Sequence, residues 1–203
     1  MRSAETEASQ LVLPGFDTGP WIPAHRFFFA VMPDPGAAAR IARSGRQLAA
    51  EAGIGGRPHD AQRLHITLQL LGDFAYVPEL ALARARIAAA SIRLPPFELT
   101  LDRLLSFKGR PGHWPLVIMP GAGLEALAGL QRQLASSLGR AGLRISNRLF
   151  TPHLTLLYGT GKLNQRVVEP FTWSVGEFVL IHSWLGKTRY DVMARWSLTG
   201  GAS

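Results

Sequence analysis

Cysteine is absent from this 203-residue chain. That absence excludes disulfides, thiolate nucleophiles and zinc-thiolate centres, and it gives no sign of an oxidising compartment. The first twenty residues, MRSAETEASQLVLPGFDTGP, carry two Glu and lack a long apolar run. They read as neither an export signal nor a membrane span, and the expectation is a cytoplasmic protein. Charge is scarce at 18% of residues against 47% apolar, so a mainly disordered chain is excluded. There is core material for one globular domain, or for two small lobes sharing a cleft. Acid is scarcest: 14 Asp plus Glu stand against 22 Lys plus Arg, a formal net charge of +8. The basic residues are chiefly scattered Arg, which points to a polyanionic partner met by a folded surface, the alternative being an arginine-rich solvated exterior.

What is present is an internal repeat. Phe29 to Pro33 reads FAVMP and Leu116 to Pro120 reads LVIMP, 87 residues apart. Arg46 to Ala49 and Arg132 to Ala135 both read RQLA, 86 apart, and His65 to Leu68, HITL, returns 88 residues later as His153 to Leu156, HLTL. Three islands in one order at nearly one spacing mark a duplication, and each copy reads strand, helix, strand. The first helix is expected over about Pro35 to Ala52, opened by Pro and closed by Gly53, and the second over about Leu124 to Arg140, closed by Gly142. Further strands are expected at Phe97 to Phe107, Trp173 to Ser183 and Tyr190 to Leu198. Pro78 to Arg93 reads as an Ala-rich helix with no counterpart, since the matching interval, Gly159 to Pro170, reads as a loop. Residues 1–24, rich in Pro and Gly, read as an irregular N-terminal extension to a single bilobal domain over 25–203.

Residues i and i+2 of a strand share a face at roughly 7 Å. Arg63, His65, Thr67 and Gln69 are therefore expected on one face, with Leu64, Ile66, Leu68 and Leu70 on the other. In the second copy Thr151, His153 and Thr155 alternate against Phe150, Pro152, Leu154 and Leu156. If the two lobes face each other across a pseudo-twofold axis, both histidines and both threonines converge on one cleft. Two imidazoles can serve there as one proton acceptor and one proton donor, with threonine hydroxyls steadying phosphoryl oxygens; opening a cyclic phosphodiester needs that set. The strained ring lessens the need for a metal, no carboxylate cluster adjoins either tetrapeptide, and a metal-free, cofactor-free mechanism is expected. Two satisfied core histidines preserved by duplication, or a two-histidine metal site, are the competing readings.

The other histidines, His25, His59, His113 and His182, lack a counterpart in the other copy and are expected at the surface or in packing. Arg63 is a candidate phosphate contact or a solvated edge arginine. Tyr158 and Tyr190 are candidates for stacking on a base or reaching a phosphate, against the alternative of core packing. Arg110, in the turn FKGRPGHW, lines the cleft or faces water.

The blocks RFFFAVMPD, RLHITLQLLGD, TPHLTLLYG and SWLGKTRYDVMARWSL, from Arg26 to Leu198, together resemble the RNA 2′,3′-cyclic phosphodiesterase (2′-5′ RNA ligase) family of the two-histidine phosphoesterase superfamily. The resemblance implies an α+β, bilobal duplicated fold: two antiparallel sheets with outer helices, facing across a central cleft. It implies hydrolysis of a terminal RNA 2′,3′-cyclic phosphate to a 2′-phosphomonoester, with reversible 2′-5′ ligation in some members. It implies His65 as proton donor, His153 as proton acceptor, and Thr67 and Thr155 as substrate contacts. A basic residue often follows the second motif in that family. This chain has Leu157, Tyr158 and Gly159 there, which leaves phosphate clamping to an arginine such as Arg63 or Arg148.

Two alternatives stay open: a phosphodiesterase for a small cyclic phosphate such as ADP-ribose cyclic phosphate, and a non-catalytic module that binds RNA ends. The expected partner is RNA bearing a 2′,3′-cyclic phosphate, with no membrane, no obligate protein partner, and a monomeric state. The charge balance generates a test. Phosphates beyond the terminus should contact the scattered arginines, so a His65→Ala variant should lose affinity for an RNA of about twenty nucleotides more steeply with salt than for a dinucleotide. Equal salt slopes in binding would assign the arginines to solvation.

Overall fold

The computed structural model describes residues 22–145 and 149–200. Nine strands and three α-helices follow one another as β1 (His25–Val31), α1 (Pro35–Glu51), β2 (Gly56–Pro58), β3 (Ile66–Phe74), α2 (Glu79–Ala90), β4 (Phe97–Ser106), β5 (Trp114–Pro120), α3 (Leu124–Arg140), β6 (Leu154–Gly159), β7 (Arg166–Val175), β8 (Glu177–Trp184) and β9 (Arg189–Ser197), with a 3₁₀ turn at Ala61–Arg63 before β3. The expected N-terminal extension lies outside the described residues except for 22–24, which hold no regular structure. Among the described residues no helix is long and apolar enough to cross a membrane.

The helices form where sequence grammar puts them. Asp34 caps α1 by accepting from the Ala37 amide at 2.8 Å, Pro35 supplies a preset φ in the first turn, and Gly53 at φ 64° ends it. In α3, Leu127, Leu130, Leu134 and Leu138 recur at helical spacing and are all fully buried. The Ala-rich α2 is shorter than expected, running from Pro78 as its cap to Ala90.

The three repeated islands fall on like elements. FAVMP and LVIMP lie at β1 and β5, the RQLA tetrapeptides in α1 and α3, and the His-x-Thr-Leu tetrapeptides at the starts of β3 and β6. All strand pairs are antiparallel, in the order β7-β4-β5-β6-β3-β1-β8-β9, with β2 on the flank of β6. Two separate sheets were the expectation, and here the structure corrects it: two halves join into one sheet through a single residue pair, Ile66 with Leu154. One large apolar cluster runs through both halves and takes in the buried faces of all three helices.

Two further expectations are corrected. Gly159 to Pro170 is not a loop throughout, because β7 begins at Arg166. β7 is an edge strand, and its register against β4 slips between Leu101 and Arg103, so Pro170 sits where no ladder bond is required of it. Trp173 to Ser183 is two strands rather than one. Gly176 interrupts it and passes the chain from one half of the sheet to the other.

The strand pairing also departs from strict alternation at two matching places. Against β1, residue 30 faces Thr67 while residue 29 faces Gln69, leaving Leu68 as an extra residue; against β5, Val117 faces Thr155 while Leu116 faces Leu157, leaving Leu156 extra. The fourth residue of each His-x-Thr-Leu is thus a β-bulge, which flips the alternation beyond it.

Gly123 fixes α3 to the sheet. Its φ is 80°, and a Cβ there would run into the Glu98 carbonyl oxygen of β4. Gly123→Ala should therefore cost at least about 2 kcal/mol, combining left-handed strain with a backbone clash. The expected readout is a lower urea midpoint at unchanged slope.

Candidate active site

The pair Ile66 and Leu154 supplies the middle residue of each His-x-Thr. Both side chains are fully buried in the core, so the flanking His and Thr of each motif are turned to the opposite face. Continuing the register sets His65 across from Thr155 and Thr67 across from His153. The two histidines then lie diagonally on either side of that pair. All four side chains line one cavity of about 240 Å³.

The imidazoles are held alike. His65 Nδ1 donates to the Arg63 carbonyl at 2.7 Å, and His153 Nδ1 donates to the Thr151 carbonyl at 2.7 Å. A carbonyl only accepts, so each Nδ1 carries the hydrogen, and each Nε2 is the atom left for proton exchange. Each ring also rests on a phenylalanine: His65 on Phe28 at 4.9 Å between centroids, His153 edge-on to Phe107 at 4.8 Å.

Burial perturbs the His65 imidazole. Desolvation holds its imidazole down at about 4, and the neighbouring His59, His153 and Arg63 push the same way against the Arg63 carbonyl bond. At neutral pH it is uncharged.

Several expectations change here. The bulge at Leu68 turns Gln69 inward, where it is 5% exposed, and turns Leu70 to the cavity at 42%. Beyond the matching bulge at Leu156, Leu157 is buried and Tyr158 lines the cavity. Arg63 does not share the His65 face, because β3 starts only at Ile66. The 3₁₀ turn carries the Arg63 guanidinium over the Tyr190 ring at 4.5 Å. Arg148 lies outside the described residues, and Arg110 is exposed in the β4–β5 turn, away from the cavity lining.

Tyr158 and Tyr190 both line the cavity, as does His59, which lacks the symmetry of the motif histidines. His113 stacks on Tyr158 at 4.4 Å, whereas His25 and His182 form a hydrogen-bonded pair at 2.9 Å away from the cavity.

Arg26 is the lining residue that the sequence reading passed over. It is the one Lys or Arg among the lining residues, and Asp73, its neighbour across β1 and β3, clamps it through Nε–Oδ1 at 2.6 Å and Nη2–Oδ2 at 2.7 Å. That bond and the carboxylate's charge raise the guanidinium pKa further. Among the described residues no three His, Cys, Asp or Glu side chains gather as metal ligands would.

An α+β fold with a long antiparallel sheet and paired His-x-Thr strands meeting at its centre defines the class. The chain belongs to the 2′-5′ RNA ligase superfamily, whose family model matches residues 33–185. It is 38% identical over 148 residues to the RNA 2′,3′-cyclic phosphodiesterase of Escherichia coli, covering 71% of this chain and 81% of that one. Among solved structures, E. coli LigT complexed with 3′-AMP superposes with a TM-score of 0.69 at 31% identity, covering 88% of this chain and 99% of that one. A Thermus thermophilus protein superposes with a TM-score of 0.68 at 25% identity, covering 87% and 100%.

The His65 environment predicts a pH signature in stability. Its folded value lies below the unfolded one, so the unfolded chain binds the proton more readily, and stability present above about pH 6.5 is lost as pH falls toward about 4. The gap between about 6.5 and about 4 is worth about 3 kcal/mol. Wild type should lose about that much more than His65→Gln between pH 7 and pH 4 in urea unfolding; parallel curves would show that burial does not perturb this imidazole.

Proposed function

We propose that this chain hydrolyses a terminal 2′,3′-cyclic phosphate on RNA to a 2′-phosphomonoester by metal-free acid-base catalysis. The observation that carries this reading is the matched pair of imidazoles, each tethered through Nδ1 to the carbonyl two residues earlier and lining one cavity with Thr67 and Thr155. In the proposed reaction water attacks phosphorus and gives its proton to His153 Nε2. The bond from phosphorus to the 3′ oxygen breaks, and that oxygen takes a proton from His65 Nε2. The products are a 2′-phosphate and a 3′ hydroxyl. A 5′ hydroxyl in the place of water would make a 2′-5′ linkage by the same transfers.

The donor role, implied by family resemblance, asks His65 to be protonated at the moment of reaction although burial keeps it neutral. A phosphate anion against the ring reverses that balance, because an opposite charge within about 4–6 Å favours imidazolium. Thr67 and Thr155 offer hydroxyls to the non-bridging oxygens, and Arg26 offers the guanidinium hydrogens that Asp73 leaves unused. Arg26 thus stands in for the basic residue missing after the second motif.

His65→Ala and His153→Ala should each lower kcat by about a hundredfold or more with folding retained. The roles separate with a substrate whose 3′ bridging oxygen is replaced by sulfur, a leaving group that departs without a proton. That substrate should restore turnover to His65→Ala and leave His153→Ala slow; the opposite pattern exchanges the roles. Thr67→Ala and Thr155→Ala should be milder, and Thr→Ser should recover much of the loss. Activity should persist in excess EDTA, whereas loss in chelator restored by a divalent ion would replace this mechanism with a metal-dependent one.

A further inference from the structure

A second cavity, of about 720 Å³, borders the first and shares Tyr190 with it. We infer that this groove receives the nucleobase of the nucleotide that carries the cyclic phosphate, an inference that rests on the reaction proposed above and names where the rest of its substrate lies.

Size comes first. The reaction cavity, at about 240 Å³, falls below the roughly 300 Å³ at which pockets for whole small ligands begin. A phosphate and its ribose fill it, and the base must leave through one side. The Tyr158 side is occupied: that ring is stacked face to face by His113 at 4.4 Å and met edge-on by His59 at 5.8 Å. Tyr190 carries the Arg63 guanidinium over its ring, but it is the lining residue shared with the larger groove, so the two cavities adjoin on that side.

The chemistry of the groove selects the uncharged part of a nucleotide. Its charged lining residues are Asp34, Glu177 and Arg195. Arg195 is already bound to Glu177, and Asp34 is held by the α1 amide it caps. Two carboxylates thus stand against one guanidinium in the lining, a balance that disfavours a phosphodiester. What the groove offers is an apolar lining of Met32, Pro33, Ala38 and Val192, together with the polar side chains of Gln62 and Glu177. A flat ring with apolar faces and a hydrogen-bonding edge matches that lining; a run of backbone phosphates does not. Val192 is 39% exposed between the half-buried Asp191 and Met193, which gives the base apolar surface to bury.

The test compares adenosine 2′,3′-cyclic phosphate with methyl riboside 2,3-cyclic phosphate, which lacks the base. In the wild-type protein kcat/KM should favour the adenosine compound by about tenfold or more, the scale of one buried or stacked base. Val192→Trp and Gln62→Trp fill the groove from exposed positions, and in each the ratio of the two kcat/KM values should fall toward one. A wild-type ratio near one, or a ratio that survives both substitutions, overturns the assignment. If the wild type turns over neither compound, the proposed reaction fails and the groove is judged by calorimetry instead. Adenosine 2′-phosphate should then bind about tenfold more tightly than methyl riboside 2-phosphate, a preference lost in both variants, and equal affinities in the wild type would overturn the assignment.

Discussion

The site depends on one backbone pairing. Ile66 and Leu154 form the single residue pair by which β3 and β6 join two half-sheets, and each is the middle residue of a His-x-Thr. Because strand side chains alternate, burying these two in the core forces both histidines and both threonines to the far side. Antiparallel register then sets each histidine opposite the other strand's threonine. Beyond that pair β6 takes β2 as its neighbour, Gly56–Pro58 pairing with Leu157–Gly159, while β3 pairs with β1. No pairing at all between β3 and β6 would leave the two histidines without a common frame.

The bulges at Leu68 and Leu156 complete the geometry. Each lets two consecutive residues turn toward the core, Leu68 with Gln69 and Leu156 with Leu157, and so brings Leu70 and Tyr158 to the cavity wall. Without them strict alternation would put Gln69 and Leu157 on the cavity wall in place of Leu70 and Tyr158. A duplicated motif here carries a duplicated irregularity, at the same position in both copies. The close fit of α1 against the second bulge follows: a Cβ at Gly45 would meet the Leu156 side chain at 3.0 Å.

Much of this was legible in the amino-acid order. The helices over 35–51 and 124–140 announced themselves through Pro, Gly and leucine spacing, and the tetrapeptides HITL and HLTL pointed to one cavity because a repeat implies like positions in like elements. Period-two reasoning failed at Gln69 because an inserted residue leaves no mark in composition. Arg63 was misplaced because a 3₁₀ turn, not a strand, precedes β3. Arg26 did leave a signal: in RFFFAV, Arg26, Phe28 and Ala30 alternate against Phe27, Phe29 and Val31. It was masked because β1 is apolar on both faces, Phe28 and Ala30 packing with Val179 and Ile181. β7 was hidden by Pro170, which an edge strand tolerates and a central strand would not.

The net charge of +8 is not concentrated where the chemistry is proposed. Arg63 lies over the Tyr190 ring with its charge intact, and Arg26 is paired with Asp73. Burial, with the nearby Arg63 charge acting the same way, keeps His65 uncharged. The cavity therefore does not hold an imidazolium in waiting. On the proposed mechanism the anionic phosphate itself supplies the charge that makes protonation favourable, so the acid forms where and when the leaving oxygen needs it. Specificity for an anion is then part of the proton transfer: a neutral ester of the same shape would enter the same space and find His65 without a proton to give.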